Sequence, residues 1–122
     1  MIRRAWEVEY TDEFMQWWMS LDRREQEAVG SKVDLLVEEG TALGFPYSSQ
    51  IKSSRHGRLR ELRVQRAGRP LRVLYAFDPR RFVILLIGGD KTGDARFYQR
   101  IVVTADRLYD EHLDALKSEG LI

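Results

Sequence analysis

Residues 59–77 read LRELRVQRAGRPLRVLYAF, and two runs of alternating character meet there at Ala67-Gly68. In the first run Leu62 and Val64 fall on one side, with Leu59, Glu61 and Arg63 on the other. In the second, Leu71, Val73, Tyr75 and Phe77 fall on one side, with Arg72, Leu74 and Ala76 on the other. Alternation with period two is the mark of a strand with two different faces. A two-residue joint ending in glycine makes the pair a hairpin. It sets Arg63 directly across from Arg72 on a shared face, and a slip of one residue would destroy that pairing.

Working outward, residues 82–87 (FVILLI) are short and wholly apolar, as a central strand is, and Gly88-Gly89 is expected to end it. Asp78-Pro79-Arg80 supplies the preceding turn. Upstream, residues 41–57 hold Gly44, Pro46 and four serines without a period, and read as loop. Before them, Trp6, Val8 and Tyr10 alternate with Glu7 and Glu9, a half-buried strand. Thr11-Asp12 opens a helix whose stripe is Phe14, Trp17, Trp18 and Leu21. Asp22 and Glu25 have capping-box spacing and open a second helix, with Val29, Val33, Leu36 and Val37 as its stripe and Gly40 as its C-cap. From Ala95 a last helix carries Phe97, Ile101, Ala105, Leu108, Tyr109 and Leu116 on one side. The expected fold is α+β: an N-terminal strand, a helical hairpin, an antiparallel sheet of about four strands and a C-terminal helix, all in one domain over 1–122.

Composition narrows the function classes. With 122 residues, 43% hydrophobic and 32% charged, the chain can bury one core and does not resemble a disordered segment. The longest apolar run is too short for a membrane helix, and the first six residues have no apolar stretch behind them to make a signal peptide. Cysteine is absent, which excludes disulfides and thiolate metal sites. Two histidines, His56 and His112, are too few for a histidine-rich metal site, so no cofactor is expected. A cytoplasmic setting follows. The net charge of +1 conceals an uneven distribution: 5 basic against 10 acidic residues over 1–49, 13 against 4 over 50–100, and 2 against 5 over 101–122. A basic middle between acidic flanks points to an anionic partner, unless the arginines simply pair with those flanks.

The chemistry-bearing residues lie in that middle segment. Like charges set opposite one another repel, so Arg63 and Arg72 make sense around an anion. Lys91 follows the next strand, Tyr98 opens the last helix, and Lys52, Arg55 and His56 lie on the loop entering the sheet. Glu61 shares the arginine face and is either their ion-pair partner or a proton carrier. Arginine holds phosphate through a bidentate fork. Metal-free RNA cleavage needs an aligned 2′-hydroxyl, stabilisation of the extra charge in the transition state, and a group that moves protons. Arginine and lysine supply the second; Glu61, His56 or Tyr98 could supply the third. Trp17 and Trp18 read as core or partner-facing.

In that order, Lys52, then Glu61-Leu62-Arg63, then Arg72-Val73-Leu74-Tyr75, then the apolar strand ending Gly88-Gly89-Asp90-Lys91-Thr92, the chain resembles the RelE/ParE toxin superfamily, and most of all its HigB-like, phage-derived branch. The likeness runs over about residues 7–112. It implies a toxin of a type II toxin–antitoxin system, an endoribonuclease (mRNA interferase) acting on mRNA in the ribosome and neutralised by a helix-turn-helix antitoxin. By position it implies that Lys52 contacts phosphate, Arg72 stabilises the transition state, Lys91 is the basic residue after the last strand, and Tyr98 orients the nucleotide. Two departures stand out. Where RelE-type members place basic residues this chain has Glu61, a glutamate that the HigB-like branch shares, and no histidine lies in residues 90–94, where some HigB members carry one. The alternatives are a ParE-like toxin that inhibits DNA gyrase without cutting RNA, and a non-catalytic RNA-binding relative. On the nuclease reading, Arg72→Ala is expected to abolish growth arrest and leave thermal stability nearly unchanged.

Overall fold

The computed structural model describes residues 5–122. In chain order its elements are β1 (Val8–Tyr10), α1 (Asp12–Ser20), α2 (Arg23–Glu39), a 3-10 turn (Gly40–Ala42), β2 (Ser48–Gln50), β3 (Arg60–Arg66), β4 (Arg69–Phe77), β5 (Val83–Asp90) and α3 (Phe97–Ser118). The α+β class, the helical hairpin and the C-terminal helix are as the sequence leads one to expect. The sheet differs in two respects. It has five strands in the order β1-β5-β4-β3-β2, and β1 pairs with β5 in parallel rather than antiparallel.

Both differences have physical causes. β1 leads into the helical hairpin, and Thr11 fixes that exit: its hydroxyl donates to Leu86 O at 2.6 Å and accepts from Phe14 N at 2.9 Å, so one side chain anchors the chain to β5 and caps α1. The strand is an edge, and Val8 and Tyr10 are exposed rather than half-buried. β2 lies within the stretch that reads as loop. Ser48-Ser49-Gln50 has no apolar alternation; it is a strand because its backbone pairs with β3, and because Ser48 Oγ meets Tyr75 Oη at 2.5 Å inside the core.

The hairpin register is Arg63↔Arg72. It is fixed by Ala67 (φ 52°) and Gly68 (φ 78°), the positive-φ pair of a type I′ turn. The capping box at α2 is present, with Asp22 accepting from Glu25 N at 2.8 Å and Glu25 accepting from Asp22 N at 2.9 Å.

The sheet is a middle layer. Phe14, Val29 and Leu36 of the hairpin pack on Leu62, Val64, Leu71, Val73 and Leu85 on one face. On the other, Phe97, Ile101, Ala105 and Leu108 of α3 pack on Leu59, Leu74, Ala76, Ile84 and Leu86. That two-sided burial is why β5 is apolar without alternation. Opposite Leu74/Tyr75 the β4–β5 ladder shifts register, and beyond it Val73 faces Gly88 and Arg72 faces Gly89. β5 therefore continues through both glycines to Asp90 rather than stopping at them. Each glycine seats a ring: a Cβ at Gly88 would stand 2.1 Å from Trp17 Cε3, and one at Gly89 would stand 2.8 Å from Phe97 Cε1. α3 begins at Phe97, two residues after the expected start at Ala95.

Gly88→Ala is expected to lower unfolding free energy by about 1–3 kcal/mol through this overpacking, read as a fall in the urea midpoint with an unchanged slope.

Candidate functional site

The β3–β4 hairpin brings Arg63, Arg72 and Glu61 together, and the first turn of α3 closes over them. Glu61 Oε1 accepts from Arg63 Nη1 at 3.1 Å and from Ser49 Oγ at 3.2 Å, and lies 3.4 Å from Arg72 Nε. Arg72 Nη1 donates to Leu71 O at 2.9 Å, while Arg72 Nε is buried without a hydrogen-bond partner. Glu61 is 3% and Arg72 4% exposed. Arg72 is flanked by Arg63 on β3 and by side-chain-free Gly89 on β5, which leaves room for a guanidinium under Phe97. The face expected to be an open basic surface is thus largely roofed by α3; what reaches the outside is Arg63, Lys91 and part of Tyr98.

Tyr98 lies beside this pair. Burial first, then hydrogen bonding and charge from Glu61, push its hydroxyl above the ordinary tyrosine value, and Arg72 pulls in the opposite direction. Tyr98 therefore carries its proton throughout the neutral range. Lys91 Nζ stands 5.3 Å from the Tyr98 ring centroid, and its backbone N–H donates to Pro70 O at 3.1 Å, which ties the end of β5 to the start of β4. Arg63, Arg72, Glu61, Tyr98 and Lys91 form one group.

Lys52, Arg55 and His56 are not part of it. Arg55 is ion-paired with Asp110, His56 Nε2 lies 2.8 Å from Asp110 Oδ1, and the His56 ring meets Tyr109 edge-on at 4.9 Å. Ser54 Oγ donates to Asp106 at 2.5 Å in the same loop. This stretch pins α3 at Asp106 and Asp110, about 12–18 Å along the helix from Tyr98 at about 1.5 Å per residue. Lys52 is exposed and follows β2 at its Gln50–Arg60 end, away from Arg63. Much of the basic segment is tied to acidic residues instead of awaiting a ligand: Arg69 with Glu25 and Asp90, Arg80 with Glu9 and Asp78, Arg100 with Asp94.

Several residues near the group gave no signal in sequence. Phe45 and Tyr47 lie in the turn before β2; Arg63 stands over the Phe45 ring at 5.5 Å and Lys32 over Tyr47 at 5.2 Å. Far from there, Glu9, Asp78 and His112 bring three ligand atoms within 4.8 Å of one another, which a count of histidines could not reveal. The Arg80 guanidinium bridges two of them, and His112 Nε2 is 2.9 Å from Asp78 Oδ2. Burial raises the Asp78 pKa, but the bonds from His112 and Arg80 outweigh it and hold the carboxyl below its usual range. The arrangement clamps α3 and β1 to the β4–β5 turn.

Comparison with known proteins follows the same lines. The family described as phage-derived protein Gp49-like (DUF891) matches residues 16–110. HigB2 of Mycobacterium tuberculosis, named as a toxin, is 40% identical over 99 residues, which is 80% of this chain and 49% of HigB2. HigB3 of the same organism, also named as a toxin, is 40% identical over 93 residues, 75% of this chain and 80% of HigB3. The chain thus spans about half the length of one relative and most of the other. Among solved structures, a mutant of the E. coli toxin RelE in the free state superposes with TM-score 0.58 at 10% identity, covering 80% of this chain and 95% of that one. The archaeal RelE–RelB complex of Pyrococcus horikoshii gives 0.54 at 18% identity, covering 75% and 99%. At these identities the likeness is one of fold. No helix among the described residues is long and apolar enough to cross a membrane.

Burial changes the expectation for Arg72. Arg72→Ala leaves Glu61 in the interior with one cation fewer, so a loss of about 3 kcal/mol in unfolding free energy is expected, measured by denaturant titration; an unchanged midpoint would contradict the packing described here. Glu61→Gln removes the charge that holds the Tyr98 proton, so the Tyr98 pKa should fall toward the ordinary value. The readout is near-ultraviolet absorbance against pH, with Tyr98→Phe assigning the transition.

Proposed function

This chain belongs to the phage-derived Gp49-like family, the HigB-like branch of the RelE-type toxins, and from that premise we propose that it is the toxin of a type II toxin–antitoxin system and cleaves mRNA on the ribosome. The observation that carries the nuclease reading is the register Arg63↔Arg72 with Glu61 and Tyr98 on the same face and Lys91 against the Tyr98 ring. Such a group offers what metal-free cleavage needs. Arg63 and Lys91, which reach the surface, take the scissile phosphate. Arg72 adds positive potential from beneath, in a site where water does not weaken it. Glu61 accepts the 2′-hydroxyl proton as that oxygen bonds to phosphorus. Tyr98, protonated at neutral pH, gives its proton to the departing 5′-oxygen. The products are a 2′,3′-cyclic phosphate and a 5′-hydroxyl. Arg55 and His56, tied to Asp110 of α3, and Lys52, beyond the Gln50–Arg60 end of β2, stand away from that phosphate, and any RNA contact they make is with nucleotides beyond the cleaved one.

In this reading the protein works in the cytoplasm and is held by a helix-turn-helix antitoxin, in keeping with the RelE–RelB complex among its structural neighbours. One observation favours a second reading, a non-catalytic RNA-binding relative: Glu61 and Arg72 are buried and already face each other. The cations gathered at one end of the sheet favour the nuclease over a gyrase-directed toxin.

Induction of the protein in cells should stop translation and leave mRNA ends phased to codons. Lys91→Ala, which disturbs no buried ion pair, should keep the melting temperature and lose cleavage by about 100-fold or more; Arg63→Ala should lose cleavage as well and also lower the melting temperature, because it strips a hydrogen-bonded cation from the buried Glu61. RNA bound but uncut would select the non-catalytic reading; filamentation with intact mRNA would select gyrase.

A further inference from the structure

Two aromatic side chains stand exposed in one turn beside the site. Phe45 is 78% and Tyr47 43% exposed. Their turn is held: Gly44 O accepts the N–H groups of Tyr47 at 3.0 Å and Ser48 at 3.1 Å, and Tyr47 O accepts the Arg63 N–H at 2.8 Å. The last of these bonds extends the β2–β3 ladder by one residue and ties the position of the rings to that of Arg63. Each ring has a cation over one face, Arg63 on Phe45 and Lys32 on Tyr47. A cavity of about 330 Å³ opens there, lined by Lys32, Pro46, Tyr47, Arg63, Gln65 and Arg72 among others, none of them acidic. Lys91 and Tyr98 repeat the cation-on-ring arrangement beyond the arginines.

We propose that the Phe45–Tyr47 turn is a nucleobase-stacking platform that seats bases of a single RNA strand beside the phosphate held at Arg63. The inference rests on RNA being the ligand, as set out above, and adds the residues that position it. Single strands are bound by aromatic rings that stack bases together with a cationic track for phosphates. This cavity has both, and its lack of carboxylates suits a polyanion better than a mixed-charge protein surface. Arg63 joins the two functions: its guanidinium touches Glu61 on one side and the Phe45 ring on the other. A phosphate drawn to Arg63 and Lys32 therefore lies next to open ring area, and the neighbouring base stacks on it.

The test is a titration of a short single-stranded RNA of mixed sequence, labelled for anisotropy and carrying 4-thiouridine, with wild type, Phe45→Ala, Tyr47→Ala and Phe45→Trp. Melting curves run alongside. Both alanine variants should weaken binding about tenfold each at unchanged melting temperature. Phe45→Trp should restore it, and ultraviolet crosslinks in wild type should map to Phe45 or Tyr47. Alanine variants that bind RNA as wild type does would overturn the platform and leave the nuclease reading intact. So would variants that lose only the partner protein encoded alongside, since the rings would then belong to a protein interface. Wild type that binds no RNA would overturn the platform, whereas the nuclease reading falls only if induced cells lack codon-phased mRNA ends.

Discussion

Two arginines set squarely opposite each other on a hairpin repel, and the structure is organised around the one carboxylate that makes this tolerable. Glu61 bonds Arg63 and lies against Arg72 on the same face. Its neutralising effect is strong because the site is dry. The site is dry because Phe97 and Ile101 come down over Gly89, where any side chain would collide with them. Remove the carboxylate and the hairpin faces uncompensated like charges in low dielectric; remove the glycine and α3 cannot approach. The positions of Tyr98 and Lys91 follow from the same approach.

The uneven charge of the sequence resolves in a related way. The acidic flanks lie against the basic sheet and discharge a good part of it: Glu25 of α2 reaches Arg69, Glu9 of β1 reaches Arg80, and Asp110 of α3 reaches Arg55. These contacts tie α2 to the start of β4, β1 to the β4–β5 turn, and α3 to the loop after β2. Arg63 and Lys91 escape this fate. Among the described residues Arg63 shares the single carboxylate of Glu61 with Arg72 and stands over the Phe45 ring, and Lys91 stands over the Tyr98 ring, so these cations keep capacity for an outside anion. Net charge by segment overstated the available positive surface, because it could not say which arginines had local partners.

What could be read from the sequence was what local rules decide. The hairpin, its register and the Arg63–Arg72 juxtaposition follow from period-two alternation and a turn that demands positive φ. The capping box at Asp22 and Glu25 follows from spacing alone. What escaped depends on distant packing. Ser48-Ser49-Gln50 has no strand signal and is extended by its neighbour. Gly88-Gly89 looks like a strand end and is instead a pair of seats for Trp17 and Phe97 on opposite faces. Arg72 and Glu61 look like surface residues until α3 covers them. Arg55 and His56 look like part of the basic group, but Asp110 lies more than fifty positions away in the chain and claims them. Phe45 and Tyr47 carry no period at all.

A buried ion pair is a weak reason for a fold to be stable, because desolvation cancels much of its attraction and an apolar pair of similar volume often does as well or better. Such pairs are sometimes kept because they fix a register. Here that work is already done: the type I′ turn at Ala67-Gly68 and the apolar alternation of Leu62, Val64, Leu71 and Val73 leave only one pairing possible. Arg72 and Glu61 are thus redundant for register and doubtful for stability, and Arg72 Nε is left without a hydrogen bond in the bargain. A donor without a partner, held beside a carboxylate and a protonated tyrosine at the edge of a cation-lined cavity, is an arrangement whose cost in folding makes sense through what it does to a ligand. That is why the proposed chemistry is located here and not at the better-satisfied cluster of Asp78, Arg80 and His112.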